Sequence, residues 1–98
     1  MSYNYRAQRP FVFTEDGQVM FLKIRDAAHG YLAASGAVSS GRLIAVTSGD
    51  TWDMLACIDR LVELGELREI TDGTVAGQHR VFVSGMLIRL TPTNLKAR

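Results

Sequence analysis

Apolar residues recur at intervals of three and four between Met20 and Ala34, which is the spacing of one face of an amphipathic helix. Most charged residues of this stretch fall on the other face. Gly36 follows as a helix-ending glycine would, so we predict a first helix over about residues 17–35. Gly30 lies inside this helix and disfavours it by about 1 kcal/mol relative to alanine.

The stretch just before this helix, residues 11–21, permits two interpretations. Asp16-Gly17 between two apolar runs is a strong signal for a short hairpin. Alternatively, residues 11–13 form a short strand, and Thr14 or Asp16 caps the first helix. The local pattern leaves both interpretations open.

Two further helices are predicted after Gly36. A serine of the pair Ser39-Ser40 can cap a two-turn helix over the following apolar residues, although their β-branched members also permit a strand. Residues 48–50 then form a turn. A third helix begins at Asp50 or Thr51 and stops at Gly65, so a short helix, a glycine turn and a longer helix follow one another.

The third predicted helix has an apolar stripe and an opposite, more polar face. We expect the stripe to be buried, and it consists of Leu55, Ile58, Leu61, Val62 and Leu64. The opposite face consists of Trp52, Asp53, Ala56, Asp59, Arg60 and Glu63. Three of those residues are acidic and one is basic, so the opposite face is acidic.

Two alternating stretches after Gly65, residues 67–71 and 80–83, predict antiparallel strands joined by a glycine-punctuated loop. Residues 86–90 form a further apolar run that ends before Pro92. This run could be another strand, paired with residues 11–13 or with a second subunit.

A leucine-rich helix end, a glycine and a short strand with a charged middle occupy residues 61–70, and residues 78–83 form the returning strand. In this order the chain resembles the winged helix-turn-helix DNA-binding superfamily. The resemblance covers roughly residues 18–83. It implies an α+β fold of three helices with a C-terminal β-hairpin wing and additional terminal strands.

With this resemblance the chain divides into three parts. Residues 1–10 lack periodicity and are expected to be a loose basic and aromatic arm. Residues 11–91 are expected to form a single winged-helix domain, and residues 92–98 a basic tail.

The resemblance also implies how DNA would be bound. The third helix would lie in the major groove, the wing would approach phosphates or the minor groove, and the arm would add basic contacts. The residues expected to contact double-stranded DNA are Arg6, Arg9, Arg42, Thr51, Trp52, Arg60, Gln78, His79 and Arg80.

The charge distribution changes which of these contacts we expect to dominate. Residues 1–10 and 84–98 carry five bases and no acid, whereas residues 11–83 carry six bases and all ten acids. We therefore expect a small transcriptional regulator that grips DNA mainly through its wing and basic tails, as a homodimer formed through terminal strands. The alternative is a protein–protein interaction module that uses the acidic third helix and Trp52 as its contact surface.

The remaining sequence features argue against other classes of protein. No apolar run is long enough to span a membrane, and the N-terminus lacks the apolar core of a secretory signal, so we expect a cytoplasmic protein without membrane contacts. Cys57, His29 and His79 have no metal-ligand spacing. No phosphate-binding loop or catalytic pair stands out, so we expect neither a cofactor nor an enzyme.

Overall fold

The computed structural model describes residues 2–72 and 79–85, which form an α+β fold of four helices and a small antiparallel sheet. The helices are α1 (Tyr5–Val12), α2 (Glu15–Ser35), α3 (Ser40–Ile44) and α4 (Thr51–Glu63). The strands are β1 (Val38–Ser39), β2 (Leu67–Glu69) and β3 (Val81–Ser84).

The three strands pair in the order β1-β3-β2, with β3 in the middle. Val38 lies opposite Phe82 in one pair, and Arg68 lies opposite Val83 in the other. The antiparallel pairing predicted for the two strands after Gly65 is confirmed. Strand β1 was not predicted, because two residues are too few to show an alternating pattern.

Helix α2 begins and ends where local capping chemistry predicts. The Thr14 hydroxyl accepts a hydrogen bond from the Gly17 amide at 3.0 Å, and Gly36 ends the helix in the left-handed conformation at φ 80°. The prediction of Thr14 as the cap is confirmed. The alternative hairpin at Asp16-Gly17 is wrong, because both residues lie in the first turn of α2.

Helices α3 and α4 also begin at predicted caps. Ser39 accepts a hydrogen bond from the Arg42 amide, and Asp50 accepts one from the Trp52 amide at 2.8 Å. Gly49, at φ 137°, forms the turn between the two helices, and Gly65, at φ 81°, follows the end of α4. The order of short helix, glycine turn and longer helix is therefore confirmed.

The N-terminal residues differ most from expectation. In place of a loose arm and a strand over residues 11–13, the structure has helix α1, which Asn4 caps by accepting a hydrogen bond from the Ala7 amide. Val12, at the end of α1, is buried in the core. The helix was missed because it is short and because much of its contact surface is polar, so it has no conspicuous apolar stripe.

Helix α4 lies at the centre of the core, which α2, β2 and β3 complete. Leu55, Ile58 and Leu61 are buried as predicted, whereas Leu64 is exposed at the end of the helix. Ala56 is also buried, although we predicted it on the outward, polar face. The cause is a second layer on that face, which the next subsection describes.

Several sequence predictions fall outside the described residues. These are the strand at residues 86–90, the basic tail at residues 92–98, the tip of the expected wing and Gln78. Among the described helices, none combines the length and the apolar character needed to cross a bilayer.

Candidate interface on helix α4

The outward face of α4 consists of Asp53, Ala56, Asp59, Arg60 and Glu63, which share one side of the helix because they are three or four residues apart. In a helix-turn-helix protein this is the side that would meet DNA. Here the N-terminal segment, residues 2–12, lies over it.

Each acid of this face has a partner in the N-terminal segment. The Tyr3 hydroxyl donates to Asp59 Oδ2 at 2.6 Å, and the Tyr5 hydroxyl donates to Glu63 Oε1 at 2.7 Å. The amides and bases of the segment supply the other contacts, which are Gln8 Nε2 to Asp53 Oδ1 at 3.1 Å and Arg9 Nε to Glu63 Oε1 at 3.0 Å. The negative charge of α4 is thus used inside the chain.

Ala56 lies between these polar contacts and is 0% exposed. Its neighbours on this side of the helix, Asp53, Asp59 and Glu63, are all hydrogen-bonded to residues of the N-terminal segment, so the segment crosses the middle of α4. Trp52, near the start of the helix, is half-buried and packs against the core. In this conformation the three acids of the outward face are engaged within the chain, and Glu63 is the most exposed of them.

The pKa values reflect these contacts. Hydrogen bonds from Tyr5, then Arg9 and Arg60, lower the pKa of Glu63 to about 2. Burial, together with the hydrogen bond to Glu63, raises the pKa of Tyr5 to about 12. Burial also raises the pKa of Asp53, while the Gln8 amide opposes that shift. Glu63 and Tyr5 are therefore fixed as a charged acceptor and a neutral donor.

Arg80, which we expected to contact DNA from the wing, is engaged on the other side of Asp59. Its Nη2 lies 2.6 Å from Asp59 Oδ1 and 2.8 Å from Glu69 Oε1. The Arg80 and Asp59 side chains are each 14% exposed. Burial alone would lower the pKa of Arg80, but the two carboxylates raise it, so the guanidinium stays charged.

Arg9 and Arg60 are engaged as well. Both contact Glu63, and their guanidinium groups lie 4.9 and 5.0 Å from the centre of the Phe13 ring. A guanidinium group above an aromatic ring is attracted by the negative electrostatic potential of the ring face. These two bases therefore form a local cluster with Glu63 and Phe13.

The other predicted site residues are more accessible but are not brought together. Arg6 is exposed on α1, Thr51 is exposed at the start of α4, and His79 is exposed just before β3. Arg42 is exposed on α3, with its guanidinium 5.5 Å from the Tyr31 ring. The predicted set thus separates into residues bound within the fold and residues dispersed over the surface.

Tyr3, Tyr5 and Gln8 are the residues that sequence reasoning missed. A signal for them existed, since an acidic helix in a nearly neutral chain needs compensating donors, and the N-terminus supplies tyrosines, a glutamine and arginines. Read as a helix, residues 5–12 place Tyr5, Gln8 and Arg9 on one side.

Within residues 2–72 and 79–85, no three histidine, cysteine or acidic side chains are grouped to hold a metal ion. Cys57 is buried, and burial, followed by the nearby charge of Asp53, raises the pKa of its thiol to about 12. A thiol with such a pKa is a poor nucleophile at neutral pH.

Comparisons with models of protein families, with curated proteins and with solved structures find no match to this chain.

Proposed function

We propose that this chain is a winged-helix domain that works through protein contacts and does not use α4 to read DNA. The winged-helix assignment is supported by the order of its elements. Helices α2, α3 and α4 are followed by the antiparallel strands β2 and β3, and the short strand β1 completes the sheet on the far side of β3.

The observation that carries the proposal is the position of the N-terminal segment over the outward face of α4. A helix must expose the side that enters the major groove. In this fold the centre of that side, Ala56, is buried. Winged helices also serve as protein-interaction modules, so the fold itself does not require DNA as the ligand.

Displacing the N-terminal segment would not produce a DNA-reading face. It would expose Asp53, Asp59 and Glu63 against the single base Arg60, and carboxylates near phosphates repel them. It would also leave those carboxylates without the hydrogen bonds that Tyr3, Tyr5 and Gln8 now donate. The segment is therefore better described as a permanent part of the fold than as a removable lid.

A second candidate function is sequence-independent binding to the DNA backbone. It is favoured by Arg6 and Arg42, which are exposed and form no ion pair with any other described residue. His79 and the bases beyond residue 85 would add to this grip. Against it, residues 2–72 and 79–85 together contain eight bases and ten acids.

A selection from random DNA duplexes, followed by fluorescence anisotropy, tests the proposal. We expect no enriched sequence, and any binding at about 50 mM salt should be weak and should fall steeply with added salt. Thr51→Ala should leave it unchanged, whereas Arg42→Ala should weaken it more than the control Arg68→Ala, which removes another exposed base, if the backbone is the ligand. An enriched motif whose binding is lost in Thr51→Ala would overturn the proposal.

A further inference from the structure

Among residues 2–72 and 79–85, the outer side of α2 stands out as a helix face with exposed apolar side chains. Val19 and Leu22 are 57% and 52% exposed and lie one turn apart. The residues that recur at intervals of three and four along this face are Val19, Lys23, Asp26, Gly30 and Ala33, and all of them are exposed. This alternating spacing is the one by which two long helices pack against each other.

An apolar groove of about 380 Å³ runs beside the second half of this face. Its lining includes Ala27, Gly30, Ala34 and the exposed side chain of Val46 from the turn after α3. Exposed apolar side chains thus mark the first half of the face, and an apolar groove lies beside the second half.

Packing among the described residues does not explain Gly30. It lies inside α2 without a positive φ, and a Cβ atom added there would meet nothing within 4 Å. Glycine in a helix interior costs about 1 kcal/mol relative to alanine. A neighbouring helix from outside the chain that approaches closely at this point would account for the absence of a side chain.

We infer that the partner of this face is α2 of a second copy of the same chain, packed antiparallel about a two-fold axis. The charges of Lys23 and Asp26 favour the antiparallel arrangement over a parallel one. When Lys23 of one copy lies opposite Asp26 of the other, Val19 of each copy lies opposite Gly30 of its partner. A parallel pair would instead place Lys23 on Lys23 and Asp26 on Asp26.

The two halves of the face are complementary in this register, because the exposed Val19 side chain of one copy meets the groove beside Gly30 of the other. A two-fold interface requires such self-complementarity. Within the described part of the chain, neither Lys23 nor Asp26 forms an ion pair, so both charges are available to the second copy. This dimer differs from the one that the sequence suggested through terminal strands.

This inference names a partner for the protein contacts proposed above and rests on that proposal, but the two can fail separately. A monomeric protein without DNA sequence preference would contradict the dimer alone. Sequence-selective binding through α4 would contradict the proposed function and leave the dimer standing.

Sedimentation of the full chain over a wide range of concentrations tests the dimer. We expect a reversible monomer–dimer equilibrium. Lys23→Asp and Asp26→Lys should each raise the dissociation constant about tenfold, because each places like charges opposite one another twice. The double variant should restore the wild-type value to within a few-fold, and Arg68→Glu, a reversal on exposed β2, should have no effect.

Gly30→Leu gives an independent test, because the added Cβ atom has no described neighbour within 4 Å and the larger side chain would occupy the groove that the second copy is expected to enter. We expect this variant to be monomeric and to unfold at a denaturant concentration no lower than that of the wild-type monomer. A monomer at all concentrations for the wild type, or a dimer that none of these variants changes, would overturn the inference.

Discussion

Asp59 is the residue on which the contacts between the N-terminal segment, α4 and β3 converge. Its carboxylate accepts from the Tyr3 hydroxyl at 2.6 Å and from two nitrogens of Arg80 at 2.6 and 3.2 Å. A largely buried charge with three donors is stable only while the donors are present, and removing one partner leaves the others unsatisfied.

Asp59→Ala should therefore destabilise the fold by about 2–4 kcal/mol, because it leaves the Arg80 guanidinium poorly compensated and the Tyr3 hydroxyl without its acceptor. Urea denaturation measures the effect. Asp16→Ala is the control, since Asp16 is exposed in the first turn of α2 and its loss should cost under about 1 kcal/mol. Equal losses in the two variants would contradict the role given to Asp59.

Glu63 should make stability depend on pH in the acid range. Its pKa in the fold is about 2, below the ordinary value of 4.5, so its contribution is present above pH 4.5 and is lost as the pH falls towards 2. Glu63→Gln should flatten the decline of the melting temperature across that window. Part of the decline should remain in this variant, because the pKa values of Glu66 and Glu69 are also lowered.

The control for this measurement is Glu15→Gln, which alters an exposed glutamate at the start of α2. It should leave the steepness of the acid decline unchanged. If Glu63→Gln shows the same decline as the wild type, the hydrogen bonds to Tyr5 and Arg9 do not form in solution.

Cys57 should be unreactive in the folded protein. Its thiol is buried, its pKa is raised to about 12, and Sγ lies 3.9 Å from the Gly17 carbonyl oxygen. Labelling with a thiol reagent near pH 8 should be at least about 100-fold slower than in denaturant, because it requires opening of the core. Rapid labelling under native conditions would show that α4 is not the central helix.

At the scale of elements, α1 is held from two sides. On one side it contacts α4, and on the other the end of α1 presses against the start of α2. A Cβ atom at Gly17 would lie 1.9 Å from the Phe11 carbonyl oxygen and 2.9 Å from Val12 Cα. Only glycine permits this approach, which fixes the angle at which α1 turns back over α4.

Because α1 covers α4, replacing an alanine with leucine should have a large effect on stability in α4 and a small one on the exposed side of α1. Ala56→Leu should destabilise the fold by about 1–3 kcal/mol, because no space is left for the larger side chain. Ala7→Leu, on the exposed side of α1, should change stability by less than about 0.5 kcal/mol. If α4 were an exposed DNA-reading helix, both variants would be nearly neutral in a denaturation experiment.

Three of the four helices could be predicted from the sequence, and α1 could not. The starts of α2, α3 and α4 could be predicted because each helix directly follows its capping residue in the sequence. These caps are Thr14, Ser39 and Asp50. Helix α1 could not, because its acidic partners lie far along the chain. The Tyr3–Asp59 hydrogen bond, for example, joins residues 56 positions apart. A local sequence pattern cannot reveal contacts between residues that lie so far apart in the chain.

The candidate site was affected by the same limitation. The sequence correctly showed that α4 is acidic, and it raised the question of how an acidic helix could face DNA. It could not show that the acids have partners far along the chain, nor that Arg9 and Arg80 are among them, whereas Arg60 lies only three residues from Glu63. Those bases were therefore assigned to an external ligand when they compensate charge within the fold.

At the scale of the whole molecule, the outward face of α4 and the outer face of α2 have different roles. The outward face of α4 is covered by residues 2–12 and holds the fold together, while the outer face of α2 remains open and self-complementary. Contacts with other molecules are then expected on α2 and on the dispersed bases Arg6 and Arg42. Helix α4, which lies beneath residues 2–12, serves as the centre of the core.

The most direct test of this account is a nuclear Overhauser spectrum that observes the methyl group of Ala56. We predict cross-peaks between this methyl group and protons of residues 2–12, unchanged when duplex DNA is added. An Ala56 methyl group that shows no contact with these residues, or that loses such contacts on adding DNA, would contradict the central claim that the N-terminal segment permanently covers α4.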